Sequence, residues 1–152
     1  MKDRLDLLAD RVHIGLDELA IVLDRIQTGW ERARQSGDDY YIDGVALNLH
    51  SFYSGLERIF EQIAETLDGM MPQGENWHML LLQQMSQEIP AVRPAVISEG
   101  VCRRLNEFRG FRHVVRHVYA IQFDPLKLER LVTDIPRLFS DVRLNCWHLR
   151  SF

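Results

Sequence analysis

Arginine and histidine residues lie close together late in the chain, in the segment Phe111-Arg112-His113-Val114-Val115-Arg116-His117-Val118-Tyr119. A guanidinium group neutralises a phosphate through paired donors, and an imidazole exchanges a proton near neutral pH. RNA carries its own nucleophile, a 2′-hydroxyl that attacks the adjacent phosphate once a base removes its proton. We expect Arg112 to stabilise the charge on the non-bridging oxygens and His117 to act as base or acid. These residue types suit cleavage of RNA without a metal ion.

The charge around this segment differs from that of the rest of the chain. The formal net charge is −4, yet residues 101–119 contain one acidic residue, Glu107, and five basic ones: Arg103, Arg104, Arg109, Arg112 and Arg116. A basic island on an acidic protein predicts an anionic ligand that is bound locally. We expect Arg109 and Arg116 to contact the RNA backbone, and Arg103 and Arg104 to steer RNA or to bind a partner.

Apolar residues recur every three or four positions, which is typical of amphipathic helices. Two long stripes cover residues 5–33 and 42–67, and polar turns follow both. They predict two long antiparallel helices. A shorter helix is predicted from Trp77 to about residue 88, with Asn76 as its cap and its inward side formed by Leu80, Leu81 and Met85.

The proline-rich segment 89–94 is predicted to be extended, because a proline disfavours helix at the residue before it. The next helix is expected to begin at Ser98-Glu99 and to reach about residue 121. Asp124-Pro125 is typical of a helix start, and Pro136 should kink or interrupt the last helix, which ends near 147. No strand pattern is found. The fold class is therefore all-α: an up-and-down bundle of about five helices in a single domain, residues 1–152.

On a helix, Arg109, Arg112, Arg116 and Tyr119 share one face, and the pair His113 and His117 lies beside it. Charged side chains are not buried without partners, so this face should meet solvent, a cleft or another subunit. One histidine does only half of the proton transfer, because the leaving 5′-oxygen also needs a proton. A second copy related by a two-fold axis would supply it, which predicts a homodimer with a shared site.

The segment resembles the R-x4-6-H signature of HEPN domains. With Tyr119 it is similar to the R-x4-H-x-Y form of HepT toxins in the MntA–HepT toxin–antitoxin systems. Residues 56–60, 77–78 and 93–98 also resemble the sequences of a HepT-like family. The resemblance implies a metal-independent endoribonuclease that needs no cofactor and dimerises through its signature helices. It also implies an RNA substrate, with tRNA as one candidate.

Carried over to this sequence, the resemblance makes Arg112 the catalytic arginine that binds phosphate and His117 the catalytic histidine. His113 takes the polar position that supports them. Tyr119 matches the tyrosine that a separate nucleotidyltransferase antitoxin, of the MNT type, modifies with AMP to silence the toxin. A nucleotide on Tyr119 would add negative charge and bulk where the RNA backbone must lie.

Two alternatives to this nuclease remain open. The first is a non-catalytic HEPN module, which binds nucleotide or RNA or docks a nucleotidyltransferase. The second is a metal site, because His113 and His117 have the spacing of two metal ligands, and His78, His50 or a carboxylate would complete the set. The flanking arginines would repel a cation, which disfavours a metal site.

Other residues receive structural interpretations. We expect Cys102 and Cys146 to be free thiols, as in a reducing cytoplasm. Glu57-Arg58 is expected to be an ion pair. Six aromatic residues are expected in the interior or at its boundary: Trp30, Trp77, Trp147, His13, His50 and His148. No apolar run is long enough to cross a membrane, and the N-terminus does not resemble a signal peptide.

Overall fold

A computed structural model describes residues 2–117 and 124–151, with the side chains of 3–111 and 124–149. This part of the chain is all-α and contains five α-helices, as predicted. Their bounds are Lys2–Ser36 (α1), Tyr40–Ile63 (α2), Trp77–Met85 (α3), Glu99–His117 (α4) and Pro125–Trp147 (α5). A π-helical turn, Ala64–Asp68, extends α2, and a 3-10 turn, His148–Ser151, follows α5.

Helices α1 and α2 form the antiparallel pair that the two apolar stripes predict. Only three residues join them, and Gly37 takes the left-handed backbone conformation (φ 66°) that ends α1. The helices approach closely at Gly55, where a β-carbon would lie 2.7 Å from Cδ2 of Leu19. A larger residue at position 55 would therefore require the Leu19 side chain to move.

Helices α4 and α5 close the core against the other side of α2. The ring of Phe52 on α2 is fully buried, 6.3 Å from the ring of Phe108 on α4 and 6.0 Å from that of Phe139 on α5. Aromatic pairs at these separations add to the free energy gained by burying their area. Asp124 caps α5 as predicted, since its carboxylate accepts a hydrogen bond from the backbone N–H of Leu126 at 3.0 Å.

The prediction for α3 was wrong in three details. The helix ends at Met85, Asn76 makes no side-chain cap, and Leu82 is buried where Leu80 was expected, Leu80 being 41% exposed. The carbonyl oxygen of Met85 accepts a hydrogen bond from the backbone N–H of Val96, at 2.8 Å. This long-range bond holds the returning chain against the end of α3.

Segment 89–94 is a tight turn and not an extended stretch. The backbone of Ile89 pairs with that of Arg93 in both directions, and Ala91 takes a left-handed conformation (φ 63°). The two prolines exclude helix, as predicted, but a turn satisfies the same restriction on φ and ψ.

Pro136 does not interrupt α5, which is helical from Pro125 to Trp147. A proline lacks the N–H that would bond to the carbonyl four residues earlier, here that of Val132. The side-chain amide of Gln27 on α1 donates a hydrogen bond to this carbonyl at 3.1 Å. The bond from α1 thus replaces one that the helix cannot make for itself.

Changing Gln27 to leucine is therefore expected to lower the free energy of unfolding by about 1 kcal/mol, because the Val132 carbonyl loses its donor. Urea denaturation followed by circular dichroism would measure the difference. Gln35→Leu is the matched control, since its amide bonds to Glu31 on an exposed face, and it should change stability by less than about 0.5 kcal/mol. Equal losses in the two variants would contradict the role of Gln27.

Two of the aromatic residues expected inside lie at the surface. Trp147 is 57% exposed and His148 is also exposed, although Cys146 beside them is buried. Both cysteines are free thiols, as predicted, and burial raises the pKa of Cys146 to about 12. Across the described ranges, no helix combines the length and apolar character needed to cross a bilayer.

Candidate functional site

The candidate signature lies on the second half of α4, which is helical through residue 117. The side of α4 that packs into the core is formed by Val101, Leu105, Phe108 and Phe111. Position 112 follows Phe108 by four residues and Leu105 by seven, so it continues the same row of the helix. In the sequence, the apolar row is thus followed by an arginine.

Side chains at positions 112–117 are outside the described part, and Tyr119 is outside the described residues altogether. The structure therefore shows only that positions 112, 113, 116 and 117 lie on one helix, α4. Their roles, and the modification of Tyr119, remain predictions.

Arg104 is held by α5 and does not project freely toward an anionic ligand. Its guanidinium donates hydrogen bonds to both carboxylate oxygens of Asp134, at 2.8 and 3.0 Å, and to Asp141 at 2.9 Å. The hydrogen bond to Asp134 raises the pKa of Arg104, although burial opposes that shift. The expectation that Arg104 steers RNA or binds a partner is therefore wrong, because Arg104 braces α4 against α5.

Two arginines of the basic island remain at the surface. Arg103 is exposed, and Arg109 is half-buried with its Nε donating to the side-chain oxygen of Asn106 at 2.8 Å. Within the side chains that are described, neither forms an ion pair with a carboxylate. Among the described side chains no carboxylate thus engages Arg109, which lies on the same helix as the signature and can contact a phosphate backbone.

A buried acid–imidazole pair joins two segments that the sequence separates by twenty residues. Oε2 of Glu57 on α2, which is 6% exposed, lies 2.6 Å from Nδ1 of His78 on α3. The ring of Trp77 stacks on that of His78, with centroids 3.7 Å apart. The expected pairing of Glu57 with Arg58 is wrong: Glu57 faces the interior and Arg58 is exposed.

This pair lies at a cleft of about 1030 Å³ between α1, α2 and the start of α3. Arg11 and Glu18 line it from α1, and Arg58 and Glu61 line it from α2. Burial raises the pKa of Glu61, and the nearby charges of Glu57 and Glu65 raise it further. No α4 residue is among the described side chains that line this cleft.

A buried ion pair fixes the loop before α4. Arg93 and Asp68 are 0% and 1% exposed and share two hydrogen bonds, at 2.6 and 2.7 Å. The same guanidinium donates to the backbone carbonyls of Gln84, Gln87 and Pro94. This pair was not predicted, and its one sign in the sequence is that Arg93 lies between two prolines. It anchors the turn that leads into α4.

No cluster of three or more potential metal ligands occurs among the side chains that the structure describes. His113 and His117 are not among them, so the structure does not test a metal site built on these two residues.

In a comparison with protein-family models, the model described as HepT-like protein matches residues 44–151. The matched region includes α3, α4, α5 and almost all of α2, and it contains the whole signature. No curated protein and no solved structure matches the chain. HepT-like proteins are of the HEPN type, a class generally associated with ribonucleases. Since the matched region is well over half of the sequence, the chain belongs to the HepT-like family.

Proposed function

We propose that this protein is a metal-independent endoribonuclease toxin that acts in the cytoplasm as a homodimer. Arg112 and His117 are the proposed catalytic residues and His113 supports them. The observation that carries the proposal is the R-x4-H-x-Y sequence, whose Arg112 and His117 positions lie on α4, within the region that matches the HepT-like model. Arg109 and Arg116 lie one turn to either side of Arg112 and extend the basic surface along the RNA backbone.

The register of α4 supports a functional role for Arg112. Its position continues a row formed by Leu105 and Phe108, which are 0% and 2% exposed. A long apolar residue there would extend the core by one turn, whereas an arginine must keep its charge solvated or paired. Stability alone therefore does not account for an arginine at position 112, but phosphate binding at the edge of the core does.

The spacing of the two proposed catalytic residues supports a site shared between two copies. Five residues of α-helix separate their positions by about 140° around the helix axis. One helix alone does not easily bring both groups to one phosphate. If two copies of α4 pack about a two-fold axis, Arg112 of one copy can approach His117 of the other, and the paired sites supply two imidazoles.

Tyr119 follows His117 by two residues and is the proposed point of control. A separate nucleotidyltransferase antitoxin would transfer AMP to its hydroxyl, and the added phosphate would compete with RNA for Arg112 and Arg116. Protein made together with such an antitoxin should then be heavier by one or more AMP units and should cleave RNA more slowly.

The proposal predicts that the purified chain cleaves single-stranded or loop RNA in excess EDTA. Because the 2′-hydroxyl is the nucleophile, the products should carry 2′,3′-cyclic phosphate and 5′-hydroxyl ends. DNA of the same sequence and RNA methylated at each 2′-oxygen should remain intact. Binding of RNA without cleavage would favour the alternative of a non-catalytic HEPN module. Cleavage that returns only when a divalent metal is added would contradict the mechanism.

A further inference from the structure

A seven-residue repeat runs along α1, outside the region that the HepT-like model matches. Acidic residues recur at every seventh position, namely Asp3, Asp10, Asp17, Asp24 and Glu31. The position after each is basic in four of five repeats, namely Arg4, Arg11, Arg25 and Arg32, with Glu18 as the exception. Four residues after the first three acidic positions stand Leu7, Ile14 and Ile21. A period of seven keeps each of these sets in its own row along a helix.

The apolar row lies on the outer surface of the bundle. Leu7, Ile14 and Ile21 are 51%, 60% and 65% exposed. The opposite side of α1 is buried against α2 and α5 through residues such as Val12, Leu19 and Ile26. A single exposed leucine is ordinary, but three aliphatic residues in one straight row at the centre of a solvent-facing side indicate a contact surface.

The two charged rows flank the apolar row on opposite sides. The acidic row is on the side of α5, where Asp17 accepts a hydrogen bond from Arg143 at 3.1 Å. The basic row is on the side of α2, where Arg11 lines the cleft together with Ile14. All ten residues of the two rows are exposed. The outer side of α1 is therefore acidic along one edge, apolar in the middle and mainly basic along the other edge.

Two copies of this surface have complementary charges in only one relative direction of the helices. When two copies of α1 pack in parallel about a two-fold axis along the helices, the acidic edge of each copy faces the basic edge of the other. When they pack antiparallel, the acidic edges meet each other and so do the basic edges, which is destabilising. The charges thus select a parallel partner with the same sequence.

We propose that the outer side of α1 is a self-association surface on which a second copy of this chain packs its own α1 in parallel and in register. Leu7, Ile14 and Ile21 would each meet their counterpart across the two-fold axis. With one apolar residue per heptad the contact is narrower than a coiled-coil seam, so we expect transient association that weakens at high salt. It is separate from the proposed pairing of α4, because α1 lies outside the signature region.

Single-cysteine crosslinking tests both the contact and its direction. The background is Cys102→Ser; Cys146 can stay, since its buried thiol has a pKa of about 12 and does not react at pH 8. In this background, Ile21→Cys should form a covalent dimer under mild oxidation at least about tenfold faster than Leu47→Cys, because association raises the local thiol concentration. Leu47 is the matched control, an aliphatic residue on α2 that is 61% exposed.

Two further variants complete the test. Adding Ile14→Asp should slow crosslinking at position 21 to the rate of the Leu47→Cys control, whereas adding Leu47→Asp should not; circular dichroism would verify that both fold. A mixture of Leu7→Cys and Ile21→Cys chains should give mainly dimers of like chains. Equal rates for the Ile21→Cys and Leu47→Cys chains would overturn the contact. Preferential linkage of position 7 to position 21 would overturn the parallel direction. Neither outcome depends on the nuclease or on α4.

Discussion

Replacing His117 with alanine is expected to slow RNA cleavage by a factor of about 10² to 10⁴, the usual contribution of a positioned acid or base. Binding of RNA should change little, because the arginines that neutralise the phosphates remain. Single-turnover cleavage of a labelled RNA in EDTA measures the first quantity, and fluorescence anisotropy with a 2′-O-methylated RNA measures the second. Loss of cleavage without loss of binding assigns His117 to the chemical step.

The matched control is His148→Ala, since His148 is an exposed histidine at the end of α5, outside the signature. It should cleave RNA at the rate of the parent. Arg112→Ala should differ from both by losing binding as well as about 10² to 10³ in rate, because a guanidinium acts on the ground state and on the transition-state charge. Unchanged cleavage in His117→Ala would remove that residue from the mechanism and leave Arg112 as a binding residue.

Replacing Arg93 with methionine is expected to lower the free energy of unfolding by about 3–5 kcal/mol, the usual result of removing one partner from a buried ion pair. The carboxyl group of Asp68, 1% exposed, would be left in the interior without the guanidinium. Three backbone carbonyls would also lose their donor. Differential scanning calorimetry should show a fall in Tm of about 10 °C for a domain of this size.

The control is Arg130→Met, because Arg130 pairs with Glu107 at 3.6 Å and both side chains are largely exposed to solvent. Such pairs contribute at most about 1 kcal/mol. The double variant Arg93→Met/Asp68→Leu should recover part of the loss, because no unpaired charge stays buried. If Arg93→Met were as mild as Arg130→Met, the pair would not be what holds the turn before α4.

The helices could be predicted because their signals are local. The apolar stripes of α1 and α2 repeat over many turns. The two residues Asp124-Pro125 are enough to indicate the start of α5. The continuity of α5 at Pro136 could not be predicted, because it depends on a hydrogen bond from Gln27, which is 105 residues away in the sequence. The short α3 ends early for a related reason, a backbone bond from Val96.

The candidate site was likewise predictable only in part. The positions of Arg112 and His117 on α4 follow from sequence spacing alone, and the family comparison agrees with the resemblance. The ion pairs of Arg104 could not be predicted, since nothing in residues 101–119 indicates that Asp134 and Asp141 on α5 lie within reach. The pairing of Glu57 with His78 was hidden in the same way, because Arg58 is the adjacent opposite charge and the true contact requires the fold. Sequence gives the charge of a side chain, but its partner depends on packing.

The position of α1 has a consequence for how this chain could be shortened or recombined. The recognisable family region begins at residue 44, yet the apolar side of α2 that it contains is covered by α1, from Leu8 to Ile26. A fragment that starts at residue 44 would lose the contacts of α1 with Val45 and Ile59 on α2. An engineered chimera that carries the motif-bearing part should therefore need a helix in place of α1 to cover this side of α2.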